Sequence, residues 1–292
     1  MKIKKTLGEH ISQLLIRVSM ILVICITLYP FVYVLSMSIS EPIRAVSGEV
    51  WLYPKGFSLD AYKMVFQNKQ VWLSYYNTLW YTSVGTSLNV VMTILAAYCL
   101  SRRTFFAKKH FMFFIAFTMF FSGGLIPMFV LINNLGLYNS RWVMILPKAV
   151  GAYYIIIART FFTTIPESLS ESAKLDGAND LTILYKIFIP LSKPIISVLV
   201  LYYAVMHWNS YFDALIYLAK SSLQPLQLFL VRVLVENDST MMGGMVDQYE
   251  RGLAALQLRF AIIIVAILPI ICVYPFLQKY FVKGIMIGAI KG

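Results

Sequence analysis

Long apolar runs separated by short polar segments make up most of the chain. Six of these runs reach the roughly 20 residues that a helix needs to cross a bilayer. They cover, to within a few residues, positions 12–38, 72–100, 109–133, 142–163, 194–219 and 258–279. Hydrophobicity is unbroken along each run, whereas a strand of a membrane barrel alternates apolar and polar residues over about ten positions. The pattern therefore predicts an all-α, polytopic membrane protein with six transmembrane helices.

Prolines and glycines interrupt this pattern inside several spans. The third span contains the sequence SGGLIP, from Ser122 to Pro127. Two glycines followed by a proline are expected to break or kink a helix. The backbone groups freed at such a break must face protein or a water-filled path, because lipid cannot hydrogen-bond to them. The third span is therefore predicted to be discontinuous.

Composition and charge agree with a membrane protein and orient it. Hydrophobic residues make up 59% and charged residues 13% of the 292 positions, and the mean hydropathy is +0.73. The basic residues behind the net charge of +12 are mostly scattered between apolar runs, so no nucleic-acid partner is expected. The loop RRTFFAKK carries four basic residues and no acid, and such loops face the cytoplasm. Both termini and residues 101–108 are therefore predicted to be cytoplasmic.

A polar segment, IPESLSESAKLDGAND at residues 165–180, separates the fourth and fifth spans on the same side of the membrane. Thr164 and Glu167 have the spacing of a capping box, which predicts a helix that begins at about Ile165. Gly177 suits the left-handed conformation that ends helices. From spacing alone, a solvated amphipathic loop helix is the simpler interpretation.

A second helix is predicted immediately after this turn. Asn179 or Asp180 can cap it, and it is expected to stop before Pro190. The segment is thus predicted to form a short helix, a glycine turn and a second helix between two membrane spans.

The sequence ESAKLDGANDLTILYKIFIPLSKP resembles the EAA loop of ATP-binding cassette (ABC) importer permeases. That loop has the pattern Glu-Ala-Ala, three residues, Gly, nine residues, Ile, one residue, Leu-Pro. At those positions the chain has Glu171, Ser172, Ala173, Gly177, Ile187, Ile189 and Pro190. It departs from the pattern at Ser172 and Ile189, and both changes are mild.

Three further stretches extend the resemblance across nearly the whole chain. They are GLIPMFVLINNLGLYNSRWVMILP (124–147), MHWNSYFDALIYL (206–218) and FVKGIMIGAIKG (281–292). All three are similar to the MalG-like permease subunits of carbohydrate importers, and in particular to the LplC-like subgroup.

This resemblance implies a fold, a function and a set of partners. The fold is that of the type I ABC importer permeases, with 1–292 as a single permease domain, a coupling loop at 164–190 and a cytoplasmic tail at 280–292. The function is that of a permease subunit that moves a carbohydrate, an oligosaccharide or related glycan, across a bacterial plasma membrane. The implied partners are a second, MalF-like permease, two cytoplasmic ATP-binding cassette subunits, an extracytoplasmic solute-binding protein, membrane lipid and the carbohydrate.

The resemblance also assigns residues to coupling. In the family the EAA helix sits in a cleft of the ATPase subunit and transmits its closure to the spans. The positions implied here are Glu171, Ala173, Asp176, Gly177 and Pro190. The tail that reaches towards the ATPase dimer interface would contribute Lys283, Gly284 and Gly288.

The fifth span carries the densest group of polar residues within any span. Trp208, Asn209 and Tyr211 are candidates for the substrate path, because aromatic rings and amides are the groups that line sugar sites. Helix packing against the neighbouring permease is the alternative. Asp213 is expected to pair with Lys220 near the outer surface.

Catalysis is not expected of this chain. No G-x-x-x-x-G-K-[ST] phosphate loop occurs, and the three histidines lie on different segments without metal-ligand spacing. The chain is therefore predicted to be a transport subunit and not an enzyme, with no metal or cofactor of its own, while partner subunits bind and hydrolyse ATP. The alternative function is a self-sufficient secondary transporter coupled to an ion gradient. That mechanism calls for ionisable residues in mid-span, and apart from Asp213 these are scarce.

Overall fold

The computed structural model describes residues 7–235 and 257–272, and within these ranges all regular secondary structure is helical. This agrees with the predicted all-α class. In chain order the helices are α1 (Leu7–Ile39), α2 (Pro42–Val46), α3 (Asp60–Gln67), α4 (Lys69–Ser101), α5 (Lys108–Phe120), α6 (Leu125–Asn134), α7 (Ala152–Phe162), α8 (Glu167–Leu175), α9 (Asp180–Ile183), α10 (Ile189–Leu191), α11 (Lys193–Trp208), α12 (Phe212–Tyr217), α13 (Leu226–Val235) and α14 (Gln257–Cys272).

Two helices are each long and apolar enough to cross a membrane, α1 and α4. Three further pairs of segments reach that length only together and are bent at a short break. They are α5 with α6 (114°), Arg141–Lys148 with α7 (49°) and Asp180–Leu191 with α11 (84°). By length and composition, the described residues hold two spans, or up to five if each bent pair is counted as one, and α14 is a shorter apolar helix.

The breaks agree with the predicted discontinuity of the third span and correct the fifth. The third span is interrupted between Phe120 and Leu125, where Gly124 has a φ of +85°. Such a φ is readily adopted only by glycine. The prediction of one continuous helix for the fifth span, over 194–219, is wrong, because α11 ends at Trp208 and α12 begins at Phe212 after a gap of three residues.

The chain groups into two compact units, Met1–Lys69 with Arg232–Leu268, and Gln70–Val231 with Pro269–Gly292. The first unit has its core at the C-terminal end of α1, where Met37, Ala45 and Val50 are buried and Tyr33 and Phe260 pack against them. The side-chain amide of Gln257 donates to the backbone carbonyls of Ser38 and Ser40 in the same region. By contrast, the most apolar stretch of α1 buries no residue.

The second unit contains two apolar clusters that share α4. One cluster joins α4 to α7, α11 and the segment 183–188, through Val90, Ile94, Ala97, Tyr98, Ala158, Phe162, Ile183, Leu184, Phe188, Ile195, Leu199 and Tyr203. The other includes Tyr81, Ile132, Val143, Met144, Ile145, Ala214, Tyr217, Leu218 and Leu228. The first cluster packs against the polar segment between α7 and α11. Buried polar residues of α4, among them Thr86 and Asn89, lie along this helix between the residues of the two clusters.

Candidate functional site

The segment between α7 and α11 folds as a helix, a tight turn and a second helix. The first of these, α8, begins at Glu167 with Pro166 at the N-cap position, and no side chain caps it. The predicted capping box is therefore wrong. The Thr164 hydroxyl donates instead to the carbonyl of Phe161, over 2.8 Å. The Glu167 carboxylate pairs with Arg103 on another segment, Nε to Oε2 2.9 Å.

The turn after α8 is formed by Gly177, as predicted. Its φ is +80°. The Gly177 N–H donates to the carbonyl of Lys174 (3.0 Å), and the Ala178 N–H donates to that of Ala173 (2.9 Å). These two bonds form a Schellman motif, which satisfies carbonyl groups that the helix end would otherwise leave unpaired.

The second helix of the segment begins at the predicted cap but ends later than predicted. Asn179 Oδ1 accepts a hydrogen bond of 2.8 Å from the N–H of Thr182. The helix then continues through α9, a π-helical turn at Leu184–Phe188 and α10, and includes Pro190. Proline removes one N–H and crowds the preceding turn, and a π turn widens the helix at that point. The prediction that the helix stops before Pro190 is therefore wrong.

One face of this segment is buried in the core and the other is exposed. Ile183 and Phe188 are buried in the apolar cluster. The exposed residues include Glu171, Leu175, Asp176, Leu181, Tyr185 and Pro190, together with Lys174 and Lys186. Leu175 is 89% exposed. Ala173 is half-buried against the protein's own core. Large exposed apolar side chains beside carboxylates are typical of a surface that binds another protein.

Two arginines that follow α4 contact α8. Arg102 Nη1 donates to Ser170 Oγ over 2.8 Å, and Arg103 forms the ion pair with Glu167. Charge alone placed residues 101–108 on the cytoplasmic side, but it did not connect them to α8. Arg102 and Ser170 are 68 positions apart, and no periodic pattern relates residues at that separation.

A buried polar cluster joins the middle of α4 to the C-terminal end of α11. Asn89 stands twelve residues before the end of α4, and His207 stands fourteen residues after the start of α11. At about 1.5 Å per residue these positions are about 18 and 21 Å from the helix ends. Both side chains are buried, and His207 Nε2 lies 2.6 Å from Asn89 Oδ1.

Two helix breaks meet at this cluster, one at residues 149–151 and one at 209–211. The Asn89 side-chain amide donates to the carbonyl of Lys148, just before the first break. The Lys148 ammonium forms an ion pair with Asp213, which lies just after the second break. The Asp213 carboxylate also accepts a hydrogen bond from Ser210 Oγ (3.0 Å), within that break. The predicted pairing of Asp213 with Lys220 is therefore wrong.

The three residues predicted for the substrate path are not equivalent in the structure. Trp208 is buried, with its ring centroid 6.4 Å from that of Tyr75. Asn209 and Tyr211 are exposed at the second break. The Asn209 side-chain amide donates to the carbonyl of Val205 on the preceding turn, over 3.0 Å. The structure therefore exposes Asn209 and Tyr211 at the second break and buries Trp208 inside the bundle.

The predicted tail residues Lys283, Gly284 and Gly288 lie outside the described residues, as does the whole of 280–292. Their predicted contact with an ATPase stays a prediction.

Comparison with known proteins gives a consistent result. Residues 89–287 match the family described as "Binding-protein-dependent transport system inner membrane component". The polygalacturonan/rhamnogalacturonan transport system permease protein YtcP of Bacillus subtilis is 40% identical, over 97% of this chain and 99% of its own length. Protein LplC of the same organism is 38% identical, over 91% of this chain and 90% of its own.

A solved structure is also similar. It comes from a bacterial ABC transporter involved in the import of the acidic polysaccharide alginate. The superposition has a TM-score of 0.88 at 35% identity and covers 96% of this chain and 100% of the other. The arrangement of α4, the bent helix pairs and the exposed helix–turn–helix is therefore that of an ABC importer permease. With the sequence matches, it shows that the chain belongs to the family of inner membrane components of binding-protein-dependent transport systems.

Proposed function

We propose that this chain is one of two permease subunits of an ABC importer that moves a carbohydrate, an oligosaccharide or related glycan, into a bacterial cell. Support comes from relatives named for polygalacturonan and rhamnogalacturonan transport and from the solved alginate importer. A third relative, the import permease protein MelC of B. subtilis, is named for melibiose, raffinose and stachyose. The single observation that carries the mechanism is the exposed helix–turn–helix between α7 and α11.

The proposed role of this segment is to dock on a cytoplasmic ATPase. The exposed face offers Leu175 and Tyr185 for apolar contact and Glu171 and Asp176 for charged hydrogen bonds. The opposite face is packed into the core through Ile183 and Phe188. A force applied to the exposed face is therefore applied to the bundle.

The proposed topology has six spans with both termini in the cytoplasm. It is supported by α1, α4, the three bent pairs and α14, which together are the elements that six spans require. The basic segment after α4 lies beside α8, so both are on one side of the membrane, and loops with an excess of Lys and Arg are cytoplasmic.

The proposed substrate path passes the two helix breaks. Broken helices at the bilayer midplane are a common site of substrate binding in transporters. Asn209 and Tyr211 at the second break offer an amide and a ring to a sugar, and Lys148 with Asp213 adds an ion pair beside the two breaks. An ion pair within the membrane is costly in lipid, so it is expected to face a water-filled path or a partner subunit.

The proposed complex contains a second, MalF-like permease, two ATP-binding cassette subunits and an extracytoplasmic solute-binding protein. The ATPase subunits bind and hydrolyse ATP, since this sequence carries no phosphate loop. The complex lies in the plasma membrane, and no nucleic acid takes part.

The test is ATP-driven uptake by the reconstituted complex. Proteoliposomes that contain both permeases and the ATPase are given a panel of labelled oligosaccharides with the binding protein outside. We expect uptake of at least one glycan that depends on ATP inside. Glu171→Lys is expected to abolish uptake and stimulated ATP hydrolysis. Glu49→Lys makes the same change between α1 and α4, a segment that cytoplasmic termini put on the outer side, and it is expected to leave the ATPase response intact. Uptake by this chain alone down an ion gradient would contradict the proposal.

A further inference from the structure

α8 is attached to its own bundle by very little buried surface. Of its nine residues, only Ser170 is buried. A serine contributes almost no apolar area, so the hydrophobic effect cannot account for the position of this helix. Ala173 adds a small half-buried contact with the core cluster. The hydrogen bond of Ser170 is therefore expected to contribute more to the position of α8 than a hydrogen bond of a typical buried residue contributes to its helix.

That partner is Arg102, whose guanidinium contacts three elements at once. Nη1 donates to Ser170 Oγ on α8, over 2.8 Å. The guanidinium carbon lies 5.5 Å from the ring centroid of Tyr98 on α4 and 5.6 Å from that of Phe188 in the second helix of the segment. The two rings meet edge to face at 4.9 Å. Arg102 therefore rests on a pair of core rings and reaches up to the one buried residue of α8.

The core beside this arginine is closely packed. Phe188 also contacts the ring of Phe162 on α7 at 5.5 Å, and the Tyr98 hydroxyl lies 3.4 Å from Asp180 Oδ1. A planar guanidinium can lie against aromatic rings and donate hydrogen bonds from a fixed fork at the same time, which the compact, strongly hydrated ammonium of lysine does less well. The arrangement thus needs arginine and not merely a positive charge.

The neighbouring Arg103 provides a natural comparison. It carries the same charge, also contacts α8, and pairs with Glu167 at 2.9 Å. Its side chain, however, is 83% exposed, and solvent-exposed ion pairs contribute little. The two arginines therefore differ in burial and in contact with aromatic rings, but not in charge or sequence environment.

We propose that Arg102 is the positioning residue that fixes α8 to the cytoplasmic end of α4, so that displacement of α8 by an ATPase moves α4 as one body with it. This inference rests on the proposed function, in which α8 meets the ATPase. Without Arg102, α8 still presents its exposed face to the ATPase but can shift against the bundle. ATP hydrolysis then continues, while its connection to the movement of the spans is weakened.

The experiment measures glycan uptake and ATP hydrolysis together in proteoliposomes of the full complex. The variants are Arg102→Ala, Arg102→Lys, Ser170→Ala and the matched control Arg103→Ala. We expect uptake per ATP to fall by about tenfold in Arg102→Ala, at the lower end of what loss of a charge-assisted hydrogen bond produces. Uptake per ATP is also expected to fall in Arg102→Lys and in Ser170→Ala, whereas Arg103→Ala is expected to keep the wild-type ratio. Hydrogen exchange of α8 amides should rise in the first three variants only.

Equal ratios in Arg102→Ala and wild type, or equal losses in Arg102→Ala and Arg103→Ala, would overturn the inference. If Arg102→Ala fails to assemble, Ser170→Ala decides, because it removes the same bond and replaces a buried serine with a slightly smaller residue. A wild-type ratio in an assembled Ser170→Ala complex would likewise overturn it. Failure of the proposed function has a different signature, namely a wild-type complex that takes up no glycan with ATP.

Discussion

Replacement of Gly177 by alanine gives a sharp test of the coupling turn. The φ of Gly177 is +80°, and a Cβ added there would meet no atom within 4 Å. The cost is therefore backbone strain alone, about 1–2 kcal/mol for a residue other than glycine in the left-handed region. This energy corresponds to a roughly 5- to 30-fold loss in the population of the native turn. Asparagine tolerates the same region, so Gly177→Asn is expected to recover much of the loss.

Gly136 is the matched control for this substitution. It follows α6, has a φ of +68° and also has no atom within 4 Å of an added Cβ. Gly136→Ala should therefore cost about the same 1–2 kcal/mol. In a thermal unfolding assay of the purified complex, both variants are expected to lower the Tm by a few degrees. Only Gly177→Ala should also lower substrate-stimulated ATP hydrolysis, because only Gly177 lies in the segment proposed to meet the ATPase.

Two outcomes would refute this reasoning. Equal losses of stimulated hydrolysis in the two alanine variants would mean that general destabilisation, and not the turn, limits coupling. A Gly177→Ala protein with wild-type Tm and wild-type stimulation would mean that the left-handed turn is not required.

Three further predictions concern the buried polar cluster of α4 and α11. Asn89→Leu is expected to destabilise the protein by about 1–3 kcal/mol, because it leaves the buried His207 without its partner and removes the donor to the carbonyl of Lys148, and thermal unfolding in detergent checks it. Lys148→Met and Asp213→Asn should each lower the Tm, whereas the double variant should be more stable than either single one, because an unpaired charge costs more than no charge; additive losses would argue against the ion pair. Asn209→Ala is expected to change the uptake rate or the range of glycans without preventing assembly, and unchanged uptake of every glycan in the panel would assign this residue to packing.

The sequence predicts those features of the fold that depend on local physics. α1 and α4 could be located because a bilayer demands a minimum apolar length. The break before α6 and the turn after α8 are marked by Gly124 and Gly177, which adopt a φ that other residues avoid.

Features that depend on distant partners were missed. The start of α8 was placed too early, because the capping box expected from Thr164 and Glu167 does not form and Glu167 instead pairs with Arg103 on a different segment. The break at 209–211 contains neither glycine nor proline, and its polar contacts pass through Asp213 to Ser210 and Lys148. Arg102 could be counted as a cytoplasmic charge, but its contact with two rings follows only from the packed core.

The contrast between α1 and α4 bears on the order in which the protein is built. The apolar stretch of α1 buries nothing, so lipid alone is a sufficient solvent for it and it can enter the bilayer as soon as it is synthesised. α4 carries Asn77 and Asn89, both buried, and their hydrogen-bond partners include Ser222, Lys148 and His207. All three partners lie later in the chain, so when α4 is synthesised its two buried amides do not yet have these hydrogen-bond partners. The insertion of α4 is then expected to be reversible until the second half of the chain has been synthesised and packs against it.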